Sequence, residues 1–192
     1  VDVVAFAAAP MPEGTAFLMV SRPLREKGLP EFFEAAALVR RRFPGATFTW
    51  LGPMRDANPS AIDEVTLRRW LARGDVRHEP ERADIRGTLA ACTVFVLPSH
   101  REGTSKVVLE AMATGRCVVT TDAPGCAQVI EHGQSGLTVR TGSAEALAAA
   151  MASLCDDPAT ARRMGTAARA RAERLYRSEL VDGLILSALL AR

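Results

Sequence analysis

The sequence predicts an α/β chain built on a doubly wound parallel sheet. Three observations predict it. Short apolar runs of four or five residues recur without the in-and-out alternation of a half-exposed strand, as expected where helices cover both faces. Between these runs lie longer stretches with helical period. Glycine and proline mark many of the changeovers, and the alternation of the two patterns argues for parallel strands joined by helical crossovers.

Residues 7–14 (AAAPMPEG) hold two prolines, a glycine and no period, so residues 1–14 read as a linker and residues 15–192 as one domain. The first strand is 16–20 (AFLMV). Gly28 and Pro30 then open an amphipathic helix containing Phe32, Phe33, Ala36 and Ala37. Proline stands near its first turn, and Arg40, Arg41 and Arg42 lie in its last, where cations oppose the helix dipole. Pro44 and Gly45 stop it. The second strand, 47–51 (TFTWL), ends at Gly52 and Pro53. Helical period resumes over residues 60–73 and Gly74 closes it. Residues 75–78 predict a brief third strand, and Asp84 caps a short helix reaching residue 91. The fourth strand, 93–97 (TVFVL), leads into a turn at 98–104 and a helix to about residue 114, ended by Gly115. A fifth strand is 117–120 and a weaker sixth 136–139. From residue 143 onward the chain reads as helix rich in alanine and arginine.

Composition narrows the function. With 48% hydrophobic and 24% charged residues the chain builds a packed core, which excludes disorder as its main state. A net charge of +2 gives no argument for nucleic acid. The arginine-rich stretch from Arg162 to Arg177 is interrupted by Glu173 and poor in aromatic residues, so it reads as the solvated side of a helix. No run of 18 apolar residues predicts a membrane span, and no charged-then-apolar leader is visible. Cys92, Cys117, Cys126 and Cys155 form no CxxC pair and read as reduced thiols. His78, His100 and His132 show no zinc-ligand spacing with them, so no metal is expected. The chain begins with Val1, and its only lysines are Lys27 and Lys106.

In an open parallel sheet, ligands bind beyond the carboxyl ends of the strands, so the turns that follow strands hold the candidate residues. The first, from Ser21 to Gly28, carries Arg22, Arg25 and Lys27 just before a helix N-terminus, a combination suited to phosphate. Surface pairs with Glu26 and Glu31 explain the same charges equally well. The second turn, from Pro98 to Ser105, holds Glu102, flexible Gly103 and the amides that open the next helix. Glu110 lies within that helix, about five residues or ~7.5 Å of axial rise from Ser105, and helical side chains lean toward the N-terminus. Two carboxylates there can accept hydrogen bonds from sugar hydroxyls. Glu102 could equally serve the helix dipole. Glu110 stands in an otherwise apolar helix, where a charge needs a partner. The third turn, from Thr121 to Cys126, places another glycine near the same edge and reads as a strand-to-helix loop. There is no G-x-G-x-x-G after the first strand, no Walker lysine motif and no G-x-S-x-G elbow, which argues against dinucleotide dehydrogenases, P-loop enzymes and ordinary serine hydrolases.

At these residues the sequence resembles the C-terminal, donor-binding domain of retaining GT-B glycosyltransferases of the large family-four group, whose fold is Rossmann-like. Arg22 with Lys27-Gly28 resembles the family's G-R-x-x-x-x-K-G element. The stretch from Glu102 to Ala113 (EGTSKVVLEAMA) is similar to its E-x7-E motif. The stretches from Val118 to Gly125 and from Gly133 to Leu137 resemble the later strand and turn, and Val1-Asp2 with Phe6 resembles the segment where such enzymes leave the N-terminal domain. The resemblance covers nearly the whole chain, and its specificity lies in the combination, in order and at these spacings.

The resemblance implies a nucleotide-diphosphate sugar donor, a UDP-sugar first, with no metal or other cofactor. Arg22 and Lys27 would hold the diphosphate and Glu110 the ribose hydroxyls. Glu102, the residue placed in the catalytic role, would bind hydroxyls of the transferred sugar, with amides of Gly103, Thr104 and Ser105 nearby and the base near His78, Glu79 and Pro80. The activity implied is hexosyl or N-acetylhexosaminyl transfer with retention. The acceptor, a glycan or lipid-linked molecule, would bind an N-terminal domain absent from this sequence, so that this half alone would be inactive. A cytoplasmic enzyme is implied, peripheral to the inner face of the cytoplasmic membrane and serving bacterial surface polysaccharide or lipopolysaccharide synthesis. Departures from the family pattern are Lys106 for a small or apolar residue, Pro80 for glycine, Gln128 for glutamate and Ser135 for asparagine. A sugar-nucleotide epimerase of the same architecture and a non-catalytic regulatory domain are the competing readings.

Overall fold

The computed structural model describes residues 1–181 and 183; residues 182 and 184–192, over which the sequence continues as predicted helix, lie outside the described residues. The elements run β1 (Ala16–Val20), α1 (Leu29–Arg42), β2 (Thr47–Leu51), α2 (Glu64–Leu71), β3 (Arg77–Glu79), α3 (Arg86–Ala91), β4 (Val94–Leu97), α4 (Lys106–Ala113), β5 (Cys117–Thr121), β6 (Gly136–Val139), α5 (Ala144–Asp156) and α6 (Pro158–Leu175). All six strands are parallel, in the order β3-β2-β1-β4-β5-β6. The chain therefore steps outward in one direction from β1 and in the other from β4. Right-handed crossovers then put α1 and α4 on opposite faces. Accordingly α1 packs with α5 and α4 packs with α6.

The strands read as continuous apolar runs because both faces are covered: β4 and β5 are buried throughout. Register places Phe17 opposite Phe48, and their rings stack at 5.1 Å. From α1, Phe33 meets Trp50 and Trp70 at 6.3 and 5.3 Å. Each of the three buried phenylalanines contributes about 1.5–3 kcal/mol by leaving water. All four cysteines are free, and no described helix is long and apolar enough to cross a membrane.

Several predicted boundaries shift for local reasons. The second helix starts at Glu64 and not at residue 60, because Asp63 caps it, its carboxylate accepting from the Thr66 N–H at 2.8 Å. Ser60 is occupied elsewhere, donating its hydroxyl to Glu26 and Asn58. The third strand is Arg77–Glu79, two residues later at its start, since only Arg77, His78 and Glu79 find partners on β2. Asp84 does accept from the Arg86 N–H at 3.0 Å, although Ile85 occupies the cap position. No helix follows the turn after β5: residues 123–130 form successive turns before β6. Among the described residues the predicted helical tail is not continuous: it breaks where Asp157 and Pro158 cap and open α6.

The arginines of α6 divide. Arg162, Arg163 and Arg174 are solvated, as predicted for that face. Arg169 and Arg171 are not: both turn onto main-chain carbonyls. Arg171 donates to Val129 and Gln128 at 2.9 and 3.1 Å, tying α6 to the helix-free link before β6.

Candidate functional site

The switch in strand order lies between β1 and β4, and the loops after the strands meet there through the main chain. Gly28, at φ +74°, follows a short 3-10 turn and opens α1. A Cβ on it would fall 2.0 Å from the Pro98 carbonyl oxygen, so only glycine lets the β1 and β4 loops approach this closely. The His100 N–H and the Ser99 hydroxyl both donate to the Glu26 carbonyl, at 2.8 and 3.0 Å. On the other side Gly125, at φ +80°, lies against the Glu102 carbonyl, and a Cβ there would sit 1.8 Å away. The Glu102 N–H donates to Pro124 at 3.2 Å, and Thr121 donates its hydroxyl to Ser99 at 2.5 Å. Three loops thus fix the main chain around Glu102.

Lys27 and Glu102, 75 residues apart in sequence, meet in that corner at 2.7 Å. The lysine side chain is 24% exposed and the carboxylate 10%, so the pair is half-sheltered from solvent screening. The corner is a closed arrangement in which each charge answers the other.

The neighbouring arrangement is open. A cleft of about 280 Å³ lies beyond the carboxyl ends of β1, β2 and β3, with α4 as its far wall. Ser21 and Arg22 line it after β1, Gly52 after β2, and Lys106 and Glu110 from α4. Arg22 is largely exposed and reaches Asp56 at 3.4 Å. Glu110 is only 6% exposed. Burial raises its carboxyl pKa, while Lys106, a turn away at 3.6 Å on an exposed side chain, pulls it back down. The Ser21 hydroxyl is buried at the rim with no hydrogen-bond partner.

Two helices aim their N-termini at this rim. Neither α1, opened by Gly28, nor α4, opened by Ser105, receives a side-chain cap. The first turn of α4 carries Lys106 and no acid. Free amides, the positive end of the dipole and a lysine add to one another there, which favours an anion.

Among the remaining residues singled out by sequence, Gly103 and Thr104 are exposed and Ser105 half-buried, all beside this N-terminus. His78 is engaged within the sheet: its Nε2–H donates to Gly52 at 2.8 Å, and its ring lies 4.8 Å from that of Trp50. Glu79 pairs with Arg82 at 2.6 Å, and Pro80 is exposed. The residues after β3 that line the cleft are Glu81, Arg82, Ala83 and Ile85. Sequence spacing gave no signal for Arg82, Ala83 and Ile85, nor for Phe6, which lines the same cleft from the N-terminal segment. No group of three metal-ligating side chains occurs among the described residues.

Strand order, switch-point cleft and two uncapped helices define a Rossmann-like α/β domain with an anion-ready ligand rim. The chain belongs to the glycosyl transferases group 1 family, which matches residues 14–157. Over 140 residues it is 36% identical to the N,N'-diacetylbacillosaminyl-diphospho-undecaprenol alpha-1,3-N-acetylgalactosaminyltransferase of Campylobacter jejuni, covering 73% of this chain and 35% of that one. It is 34% identical over 167 residues to a glycogen synthase of Mycobacterium tuberculosis, covering 86% and 40%. The chain therefore spans well under half the length of these curated relatives. Among solved structures, Anabaena Alr3699/HepE in complex with UDP-glucose superposes with a TM-score of 0.88 at 22% identity, over 100% of this chain and 56% of that one. The C-terminal domain of a Francisella tularensis glycosyl transferase group 1 protein, LpcC, superposes with a TM-score of 0.79 at 23% identity, over 93% and 99%. The fold is that of the C-terminal half of a GT-B glycosyltransferase.

Proposed function

We propose that this chain is the donor-binding domain of a glycosyltransferase that draws a hexosyl or N-acetylhexosaminyl group from a nucleoside-diphosphate sugar, a UDP-sugar first. The observation that supports the reading is that Arg22 and Glu110 line one cleft beyond the strand ends, while Lys27 and Glu102 pair at 2.7 Å between the loops after β1 and β4, beside two uncapped helix N-termini. Arg22, Lys27 and the α4 amides would take the diphosphate. These groups act where negative charge grows as the sugar–phosphate bond breaks, and fixed donors and dipoles at such a point lower the barrier without reorganising. Glu110 would accept from the ribose diol and Glu102 from hydroxyls of the transferred sugar, with the Gly103, Thr104 and Ser105 amides beside it. The base would lie along the turn after β3, from His78 to Ile85. The scheme needs no metal.

The acceptor side belongs to a preceding domain, and transfer occurs between the two. The relative named for a diphospho-undecaprenol substrate supports a lipid-linked acceptor; a surface-glycan product, a place at the cytoplasmic face of a membrane and retention of configuration belong to the same proposal. Calorimetric titration with UDP-glucose, UDP-N-acetylglucosamine and GDP-mannose tests it. At least one UDP-sugar binds in the micromolar to millimolar range, and Lys27→Ala and Glu110→Ala each weaken it by about 10-fold or more, the loss of one charge-assisted contact. Binding unchanged in both variants contradicts the reading.

A further inference from the structure

The segment before β1 is lashed to the domain. Asp2 closes its first turn, accepting from the Val4 and Ala5 N–H groups at 2.9 and 2.8 Å. Arg169 of α6 donates through Nη1 to the Phe6 carbonyl at 2.6 Å and also to the Ala113 carbonyl at the end of α4, and through Nη2 to Val3 at 3.0 Å. Further along, fully buried Arg116 donates to Ala9 and Pro10 at 2.7 and 3.1 Å, and the Ala9 N–H donates to Thr114 at 3.2 Å. Two guanidinium groups thus hold a stretch that contains no regular strand or helix of its own.

The consequence reaches the ligand cleft. One guanidinium nitrogen binds both Phe6 and the last turn of α4, so Phe6 is placed along the α4 wall. Its half-buried side chain lines the cleft together with Lys106, Val107 and Glu110. It is the aromatic ring among the described lining residues. A phenyl face repels phosphate oxygen and gains from covering an apolar, flat or ring-shaped ligand surface. In a nucleoside diphosphate that surface is the nucleoside.

We infer that Phe6 contacts the nucleoside part of the bound donor and that Arg169 is the positioning residue that holds it there. The inference rests on the proposed nucleoside-diphosphate site. It makes the N-terminal segment part of the binding site and not a tether alone.

The test uses UDP as the probe and the 192-residue chain. Dissociation constants are read by calorimetry, with thermal midpoints for Phe6→Ala, Phe6→Leu, Arg169→Met and Arg169→Lys, and hydrogen exchange of residues 3–9 with and without UDP. Phe6→Ala weakens UDP by about 10-fold, Phe6→Leu recovers part of the loss, and UDP slows exchange in the segment. Arg169→Met weakens UDP by about 5-fold, with Arg169→Lys between it and the parent. UDP affinity unchanged in Phe6→Ala, whatever happens to its thermal midpoint, overturns the inference alone. Failure of the parent chain to bind UDP overturns the proposed site along with it.

Discussion

The two halves of the rim solve the same electrostatic problem in opposite ways. In the corner between β1 and β4, Lys27 and Glu102 meet at 2.7 Å and satisfy each other before any ligand arrives. In the cleft beside α4, Arg22 is mostly solvated and reaches only Asp56 at 3.4 Å, and Glu110 is buried with an exposed lysine opposite at 3.6 Å. A ligand entering the cleft fills an open position. A ligand entering the corner must exchange partners, offering phosphate to the lysine and hydroxyls to the carboxylate together. A sugar diphosphate does both; a bare diphosphate does only the first. On the proposed reading the corner discriminates between ligands and the cleft admits them.

Breaking the corner's scaffold gives the largest effect. Gly125→Ala brings a Cβ onto the Glu102 carbonyl at a positive φ, so about 3 kcal/mol of stability is lost in urea unfolding and UDP-sugar binding falls with it. A loss under about 0.5 kcal/mol would mean that the corner's close approach is not the constraint described. Next comes the exchange itself. Glu102→Gln removes the lysine's resident partner, so UDP alone binds within about 3-fold of the parent, or tighter, while UDP-glucose weakens by about 10-fold. Equal weakening of both ligands would show that Glu102 acts on the diphosphate and not on the sugar.

The cleft answers to pH. Burial holds the Glu110 carboxyl above its ordinary value of 4.5, with Lys106 opposing the shift. The folded state therefore keeps its proton to higher pH than the unfolded state, and ionisation costs stability as pH rises from about 4.5 through the folded pKa. Glu110→Gln gains stability over the parent in that window and keeps the gain at pH 7, while near pH 3 the advantage vanishes; urea midpoints at both values decide it. A parent more stable than the variant at pH 7 would show Glu110 held by a stronger partner than Lys106. The smallest effect is at Gly103, where an added Cβ meets nothing within 4 Å. Gly103→Ala changes stability by less than about 0.5 kcal/mol, and a larger loss would contradict the contrast with Gly125.

Much of this was legible in the sequence because buried parallel strands write themselves as uninterrupted apolar runs. The runs ending at Val20, Leu51 and Leu97 are found that way. The four charged residues stood out because they follow strands or, in Glu110's case, interrupt an apolar helix. Contacts that need the strand order were not legible. Nothing in the spacing joins Lys27 to Glu102, because β4 pairs with β1 only after β2 and β3 have been laid down on the other side. Turn chemistry hid the start of α2, where Asp63 and not Ser60 makes the cap. Arg169 and Arg171 looked like solvent-facing charges, since helical period cannot tell a solvated arginine from one that caps main-chain carbonyls of a neighbouring segment. Phe6 sits where composition reads only linker.

The most direct test of the shared rim is an amide NMR titration of this chain with UDP-glucose. The account predicts that resonances of Gly28, Gly52, Gly103 and Lys106 move together along one binding curve, with those of Glu81 and Arg82. A hollow of about 320 Å³ beyond the end of α4, where Gly115, Arg162 and Thr166 line it, offers a control. Shifts confined to that hollow, or separate curves for the Gly28 and Lys106 ends, would contradict a single donor site along the carboxyl edge.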